Sequence, residues 1–520
     1  MTTALQRPAA TAHPGWTPAG LLRRARRVLD RNWTGSSTVP SRALYPHQWS
    51  WDSAFIAIGL RHFAPERARR ELETLFAAQW ADGRVPHIVF NPAVPLDAYF
   101  PSPDFWRSAT DGAAAGAPAA VQTSGLVQPP VHALAVWLTH LADPAGSRRT
   151  GFLERLHPKL AAWQRYLTGS RDLGGRGLAA IVHPWESGMD NSPCWDAPLA
   201  RVTPAAPGSF RRCDLDHGDP GDRPTDLDYR RYVALARTYR DHGYHDAGTP
   251  HAFAVEDPGF NALLILAEHA LADIAAALGA DPTDHRIRAE QLTTALVKRL
   301  WDARTGMFLC HDLTSGRLLP ERSATGLLPL IVPGLPGHIA DALLRTLDGE
   351  HFSLGHGARL APSYDLCGKA FDASRYWRGP AWFNVNWLIE RGLREQGRPA
   401  RAAGLRSAIL GAAAESDFAE YLDPYTEQPH GARNFSWTAA LAADLLDAGT
   451  RHPGADGGLP EAARPAGDGP APRQPAATAS TGTGTAGTTD AAISADGTGT
   501  RATAPTAPGT APAATAEPIP

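Results

Sequence analysis

Cysteine is scarce in this 520-residue chain, and Cys194, Cys213, Cys310 and Cys367 lie apart with no CxxC spacing. That excludes a zinc ribbon or a disulfide framework and points to a reduced, cytoplasmic protein. Charge of one sign is also lacking: 50 Lys and Arg against 53 Asp and Glu leave a net charge of -3. Nothing in that balance draws nucleic acid or an anionic membrane. The first 16 residues show no charged stretch followed by an apolar one, and no segment looks long and apolar enough to span a bilayer. No fixed repeat period is present, which speaks against a solenoid. No group of residues has metal-ligand spacing, and Gly188 and Gly379 lie in no phosphate-cradling pattern, so neither metal nor cofactor is expected.

What is present is helical periodicity. Apolar residues recur at helix spacing over 53–61, 66–79, 131–141, 152–167, 229–239, 260–278, 286–301, 337–347, 381–393 and 435–446. A further predicted helix, 18–30, carries Arg23, Arg24, Arg26 and Arg27 on what reads as a solvated face. Gly279 and Gly392 stand at or near predicted helix C-termini, where glycine tolerates positive φ. Convincing strands are few; the best is a hairpin from 306–311 to 317–319, turning at Thr314-Ser315-Gly316. From about Thr450 the chain turns to Ala, Thr, Gly, Pro and Asp without an aromatic residue, too little apolar surface to offset ordering entropy. The expected organisation is a flexible lead over 1–16, a catalytic domain over 17–449 and a disordered tail over 450–520. Helices in sequential pairs joined by long loops describe an all-α chain. Loops rich in Trp, Asp, Pro and Gly are usually functional, which favours a closed (α/α)6 barrel with its site at one rim.

Five loop segments share one vocabulary of aromatic rings, carboxylates and amides. They are Tyr45 to Asp52; Thr123 to Pro130; His183 to Asp196; Tyr376 to Trp387; and Phe418 to Pro424, joined by Asn434 to Trp437. Eight of the 15 Trp residues fall in them. Indole faces suit the C–H side of a pyranose, and carboxylates and amides take its hydroxyls. Trp49, Trp51, Trp377 and Trp382, interleaved with Pro, Asp and Arg, read as site residues; Trp387 and Trp437, at helical spacing, read as core. Asp52 has an N-cap alternative. Glycoside hydrolysis needs two carboxyl groups, one to protonate the leaving oxygen and one to activate water or attack carbon. Glu186, Asp190, Asp196, Glu420 and Asp423 are all available, and spacing does not rank them.

Trp49-x-Trp51-Asp52, the run from Trp185 to Pro193, Tyr376-Trp377-Arg378-Gly379-Pro380-x-Trp382 and Glu420-Tyr421-x-x-Pro424 resemble glycoside hydrolase family 63, on the side of its bacterial mannosylglycerate and glucosylglycerate hydrolases. The resemblance runs from about Tyr45 to Leu446. It implies an inverting α-glycosidase with Asp190 as general acid, Glu420 as general base, and a gap of roughly 6.5–9.5 Å between them for water. It places Tyr45, Trp49, Trp51, Asp52, Gln128 and Trp185 around the cleaved hexose, with Tyr376, Trp377, Gly379 and Trp382 completing the wall. Arg223 and Tyr229 fall where the family holds a glycerate, and an Arg fork and a Tyr hydroxyl suit that carboxylate. Structurally, the same stretch also reads as a loop with Asp226 or Asp228 as helix N-cap. Cys194 departs from the pattern, standing where a basic residue is expected near the acid.

The expected substrate is a small charged glycoside, glucosylglycerate or mannosylglycerate. The alternative is an α-glucosidase acting on trehalose or α-glucooligosaccharides, for which Arg223 would have no use. A sugar epimerase on a similar barrel should use paired His residues; the chain has 20 His, but none recurs at a matching loop position.

Overall fold

The computed structural model describes residues 15–216 and 219–448. The lead expected over 1–16, all but its last two residues, and the tail expected over 450–520 lie outside the described residues.

Among the described residues, twelve helices of eleven residues or more carry the fold. The first six are α1 (Pro18–Arg31), α2 (Ser50–Leu60), α3 (Pro65–Ala77), α4 (His132–Ala142), α5 (Phe152–Gly169) and α6 (Asp226–Asp241). The rest are α7 (Pro258–Ala277), α8 (Thr283–Leu300), α9 (Gly337–Asp348), α10 (Phe383–Glu395), α11 (Pro399–Glu415) and α12 (Ser436–Ala448). Their starts are set locally. Thr17, Thr225 and Asp257 cap α1, α6 and α7 by accepting the amides of Gly20, Asp228 and Phe260, donors the first turn leaves unpaired.

The helices pack in a cycle. α12 contacts α2, α2 contacts α4, and α4 contacts α7; α7 meets the 3-10 segment Leu328–Ile331, that segment meets α10, and α10 returns to α12. A second set backs the first: α1 on α12, α3 on α2, α5 on α4 and α7, α8 on α7, α11 on α10. Patterning follows position. Every residue of α2 is buried, whereas α1 buries Leu21, Ala25, Val28 and Leu29 and exposes Arg23, Arg26 and Arg27, as an amphipathic outer helix should. Where α2 crosses α12, a Cβ at Gly59 would lie 2.3 Å from the Ala440 carbonyl oxygen, so only glycine allows that approach.

Several expectations need correction. α7 is by length and composition apolar enough to cross a membrane, contrary to the sequence reading, and most of it is buried inside the protein. α11 carried no clear apolar stripe because its inner face is mostly Ala and Gly. Gly392 does not end α10; it lies inside the helix, where a Cβ would stand 2.8 Å from Leu330 Cβ. The stop comes at Gly397, φ +67°, whose neighbour Arg398 donates its amide to the Leu393 carbonyl. The hairpin survives only as His311–Asp312 paired with Arg317–Leu318, while Met307–Phe308 turns back to pair with Trp301–Asp302.

Short strands tie the long loops together. Gln48–Trp49 pairs with Ile88–Val89. Tyr421–Leu422 runs between Ala381–Trp382 and Pro429–His430, setting Tyr421 opposite both Trp382 and His430. That sheet brings the fourth and fifth loop segments side by side.

Candidate active site

The loop from His183 to Pro193 is built around one buried carboxylate. Glu186 accepts both Arg171 Nη atoms at 2.6 and 2.7 Å, the Val182 amide at 2.8 Å and the Val127 amide at 3.2 Å. Four donors leave it no free valence for chemistry, and they lock the 3-10 turn Pro184–Ser187 against the loop that carries Gln128. His183 caps that turn by accepting the Trp185 amide on Nδ1 while Nε2 bonds the Tyr232 carbonyl. Gly188 then turns at φ +71°, with the Trp51 ring 2.6 Å from where a Cβ would be.

These contacts hold the backbone on either side of Asp190. Trp195 Nε1 donates to the Met189 carbonyl at 2.7 Å, Tyr232 Oη to the Asp190 carbonyl at 3.0 Å, and the Trp377 amide to Asn191 Oδ1 at 2.9 Å. The carboxyl is left to the cavity: among the described residues, no side chain donates to it. Burial pushes it up to about 7, opposed by Arg223 and by its own backbone amide and aided by Glu420 and Asp214.

Glu420 is treated in the opposite way. Tyr45 Oη donates to Oε1 at 2.9 Å and the Ala432 amide to Oε2 at 2.9 Å. Burial still raises its pKa, while Arg223 and these two donors hold it down. Asp52 is not the N-cap of α2; Trp49 occupies that position and Asp52 sits in the first turn. Its carboxyl faces the cavity and is raised well above the usual range by burial, with Glu420 and Asp190 adding to the rise. Gln128 Oε1 caps α2 instead, accepting the Trp51 amide at 3.2 Å.

One cavity takes in every site residue expected from the sequence except Gly379. Gly379 supports the loop from behind, its amide donating to Ser363 Oγ and its missing Cβ leaving room for the Asp372 carbonyl. Trp377 and Trp382 stack face to face at 3.7 Å, and Trp382 Nε1 donates to the Tyr376 carbonyl. Arg223 enters after the short turn Pro220–Asp222. It donates from Nη1 to Tyr45 Oη at 3.1 Å and lies over the Tyr376 ring at 4.3 Å. Asp222 pairs with His430 at 2.9 Å, which ties this segment to the hairpin behind Glu420. Tyr229 lines the cavity with its ring, but its hydroxyl is spent on the Phe100 carbonyl at 2.9 Å. The cap of α6 is Thr225, not Asp226 or Asp228; the Thr225 hydroxyl in turn donates to the Asp228 carboxylate.

The remaining carboxylates have structural partners. Asp196 takes both Arg378 Nη atoms, and Asp423 closes a turn by accepting the Tyr425 and Thr426 amides. Cys194 is buried beside the Cys310 thiol. The charged brace near the loop of Asp190 comes instead from Arg378, which also donates to the Asn191 carbonyl.

Among the residues the sequence missed are three lining the cavity, Asp214, Tyr99 and Trp437, and one, Gly431, behind it. Asp214, held by Arg212 at 2.6 Å, and Tyr99 come from loops without motif or periodicity. Trp437, read as core, reaches the cavity from the first turn of α12, whereas Trp387 is core as expected and donates to Asp444. Gly431 has φ +65° and a virtual Cβ only 2.4 Å from Glu420 Oε2.

Residues 45–438 match the domain family described as mannosylglycerate hydrolase MGH1-like glycoside hydrolase domain. The mannosylglycerate hydrolase of Rubrobacter radiotolerans is 42% identical over 441 residues, 82% of this chain and 98% of its own. The glucosylglycerate hydrolase of Mycolicibacterium hassiacum is 40% identical over 448 residues, 83% of this chain and 99% of its own. The crystal structure of the GH63 mannosylglycerate hydrolase from Thermus thermophilus in complex with Tris and D-glycerate is 40% identical with a TM-score of 0.75, covering 82% of this chain and 99% of that one. Sequence motifs, cavity and relatives agree: the chain is a glycoside hydrolase, belonging to the mannosylglycerate hydrolase MGH1-like branch of glycoside hydrolase family 63.

Proposed function

We propose that this protein hydrolyses an α-glycoside of glycerate, glucosylglycerate or mannosylglycerate, with inversion. The observation that carries the roles is the unequal treatment of two carboxyls in one cavity. Asp190 has no side-chain donor and is pushed up to about 7, while Glu420 takes two donors that favour its ionised form. A general acid works best when its pKa lies near the operating pH. Asp52, whose carboxyl faces the cavity, suits a hydrogen bond to a sugar hydroxyl.

The hexose rests among Trp49, Trp51, Trp185, Trp377 and Trp382, with Asp52 and Gln128 near its hydroxyls. Glu420 takes a proton from a water, whose oxygen attacks the anomeric carbon from the face opposite the leaving group. The glycosidic C–O bond breaks as Asp190 gives its proton to the departing oxygen. Asp190 ends ionised and Glu420 protonated, and exchange with solvent resets both. Arg223, at most one-tenth exposed, pairs with the glycerate carboxylate, the Tyr229 ring packing nearby. The cyclic helix contacts and the backing set support an (α/α)6 toroid as the frame. Four free cysteines fit a reducing cytoplasm.

Hexose release from the two glycerate glycosides and from the matching neutral glycerol glycosides tests the substrate. The glycerate compounds should be turned over far faster, and Arg223→Ala should erase that preference. Equal rates for both, in the natural protein, would remove the case for an anionic aglycone.

A further inference from the structure

A single hydroxyl joins the cation expected to hold the aglycone to the carboxylate expected to act as base. Arg223 Nη1 donates to Tyr45 Oη at 3.1 Å, and that hydroxyl donates to Glu420 Oε1 at 2.9 Å. Arg223 is only loosely paired. Its nearest anion, Asp214, stands 3.6 Å from Nε and is claimed at 2.6 Å by Arg212. Arg223 is also the strongest influence holding both Asp190 and Glu420 down against burial.

We propose that Arg223 couples the charge of the aglycone to the protonation of the site: an anionic aglycone seated on the guanidinium cancels its field at Asp190 and Glu420, so that the substrate loads the proton it will receive. The proposal rests on the anionic aglycone argued above. The groups facing Arg223 are Tyr45, Tyr99, Tyr229, Tyr376, Tyr421, Asp190, Asp214 and Glu420, with Arg212 beyond Asp214. Those facing Asp190 are Arg223, Glu420, Asp214, Asp52 and the phenols of Tyr99, Tyr232 and Tyr376. Burial raises all of these phenols, so they stay protonated near neutral pH. Removing a positive field raises a carboxyl pKa, and a raised pKa at fixed pH means proton uptake.

Calorimetric titration of the full-length protein with D-glycerate, in buffers of different ionisation enthalpy, counts those protons. At pH 7 we expect uptake of up to about half a proton per site, most of it lost in Asp190→Asn while D-glycerate still binds. The alkaline limb of kcat, which reports the loaded enzyme, should also lie above that of kcat/KM. Binding without proton uptake between pH 6 and 8, or uptake undiminished in Asp190→Asn, would overturn the coupling. If D-glycerate does not bind at all, the anionic-aglycone assignment itself fails and takes the coupling with it.

Discussion

At Glu420 the placement of a carboxylate depends on a neighbour having no side chain. Gly431 lets the Ala432 amide reach Oε2, so Gly431→Ala should displace the base and lower kcat on the order of 10–10²-fold with little change in KM. Steady-state kinetics on variant protein with an unchanged melting profile would check this. Asp190→Asn and Glu420→Gln should each lower kcat on the order of 10²–10⁴-fold; near-normal turnover in either would remove that residue's role. The same groups set the pH profile. As the proposed acid, Asp190 must hold its proton, so kcat/KM should fall as pH rises through about 7. As the proposed base, Glu420 must be ionised, so activity should also fall on acidification, at a pH above the ordinary Glu range because burial raises it. Much of this was legible in the sequence as residue type and motif. Spacing did not separate Asp190 from Glu186, because the difference is one of partners: Arg171 and two amides occupy Glu186. Asp214 and Gly431 escaped because their importance comes from which distant loop they meet.

Among the elements, the acid loop is held mainly by the Arg171–Glu186 pair, both side chains at most 1% exposed. Breaking a buried pair from one side costs about 3–5 kcal/mol, because the remaining charge keeps its desolvation penalty. Glu186→Ala should therefore lower the midpoint of denaturant unfolding and also reduce kcat, since it frees the loops of both Asp190 and Gln128. Unchanged stability would contradict the clamp. Helices with a clear apolar stripe were legible to within a few residues at each end. α11 was not, since an Ala- and Gly-lined face gives little contrast in polarity. The sense of Gly392 was hidden as well: a glycine that admits Leu330 and one that ends a helix look alike without the partner.

For the whole molecule, the cyclic succession of helix contacts sets one end of several helices, α2 and α12 among them, around a common cavity. Five loop segments far apart in the chain reach the cavity or brace its walls. The helical class and the grouping of these loops were legible because periodicity and aromatic-rich composition are local properties. The register between loops was not, since it depends on pairings such as Tyr421 with Trp382. The central claim is that Asp190 and Glu420 act across a gap that admits water, and the anomer released tests it most directly. Proton NMR during hydrolysis of α-glucosylglycerate or α-mannosylglycerate should show the β-hexose first, with the α-anomer growing in by mutarotation. The α-hexose appearing first, or no hexose from either compound, would contradict it.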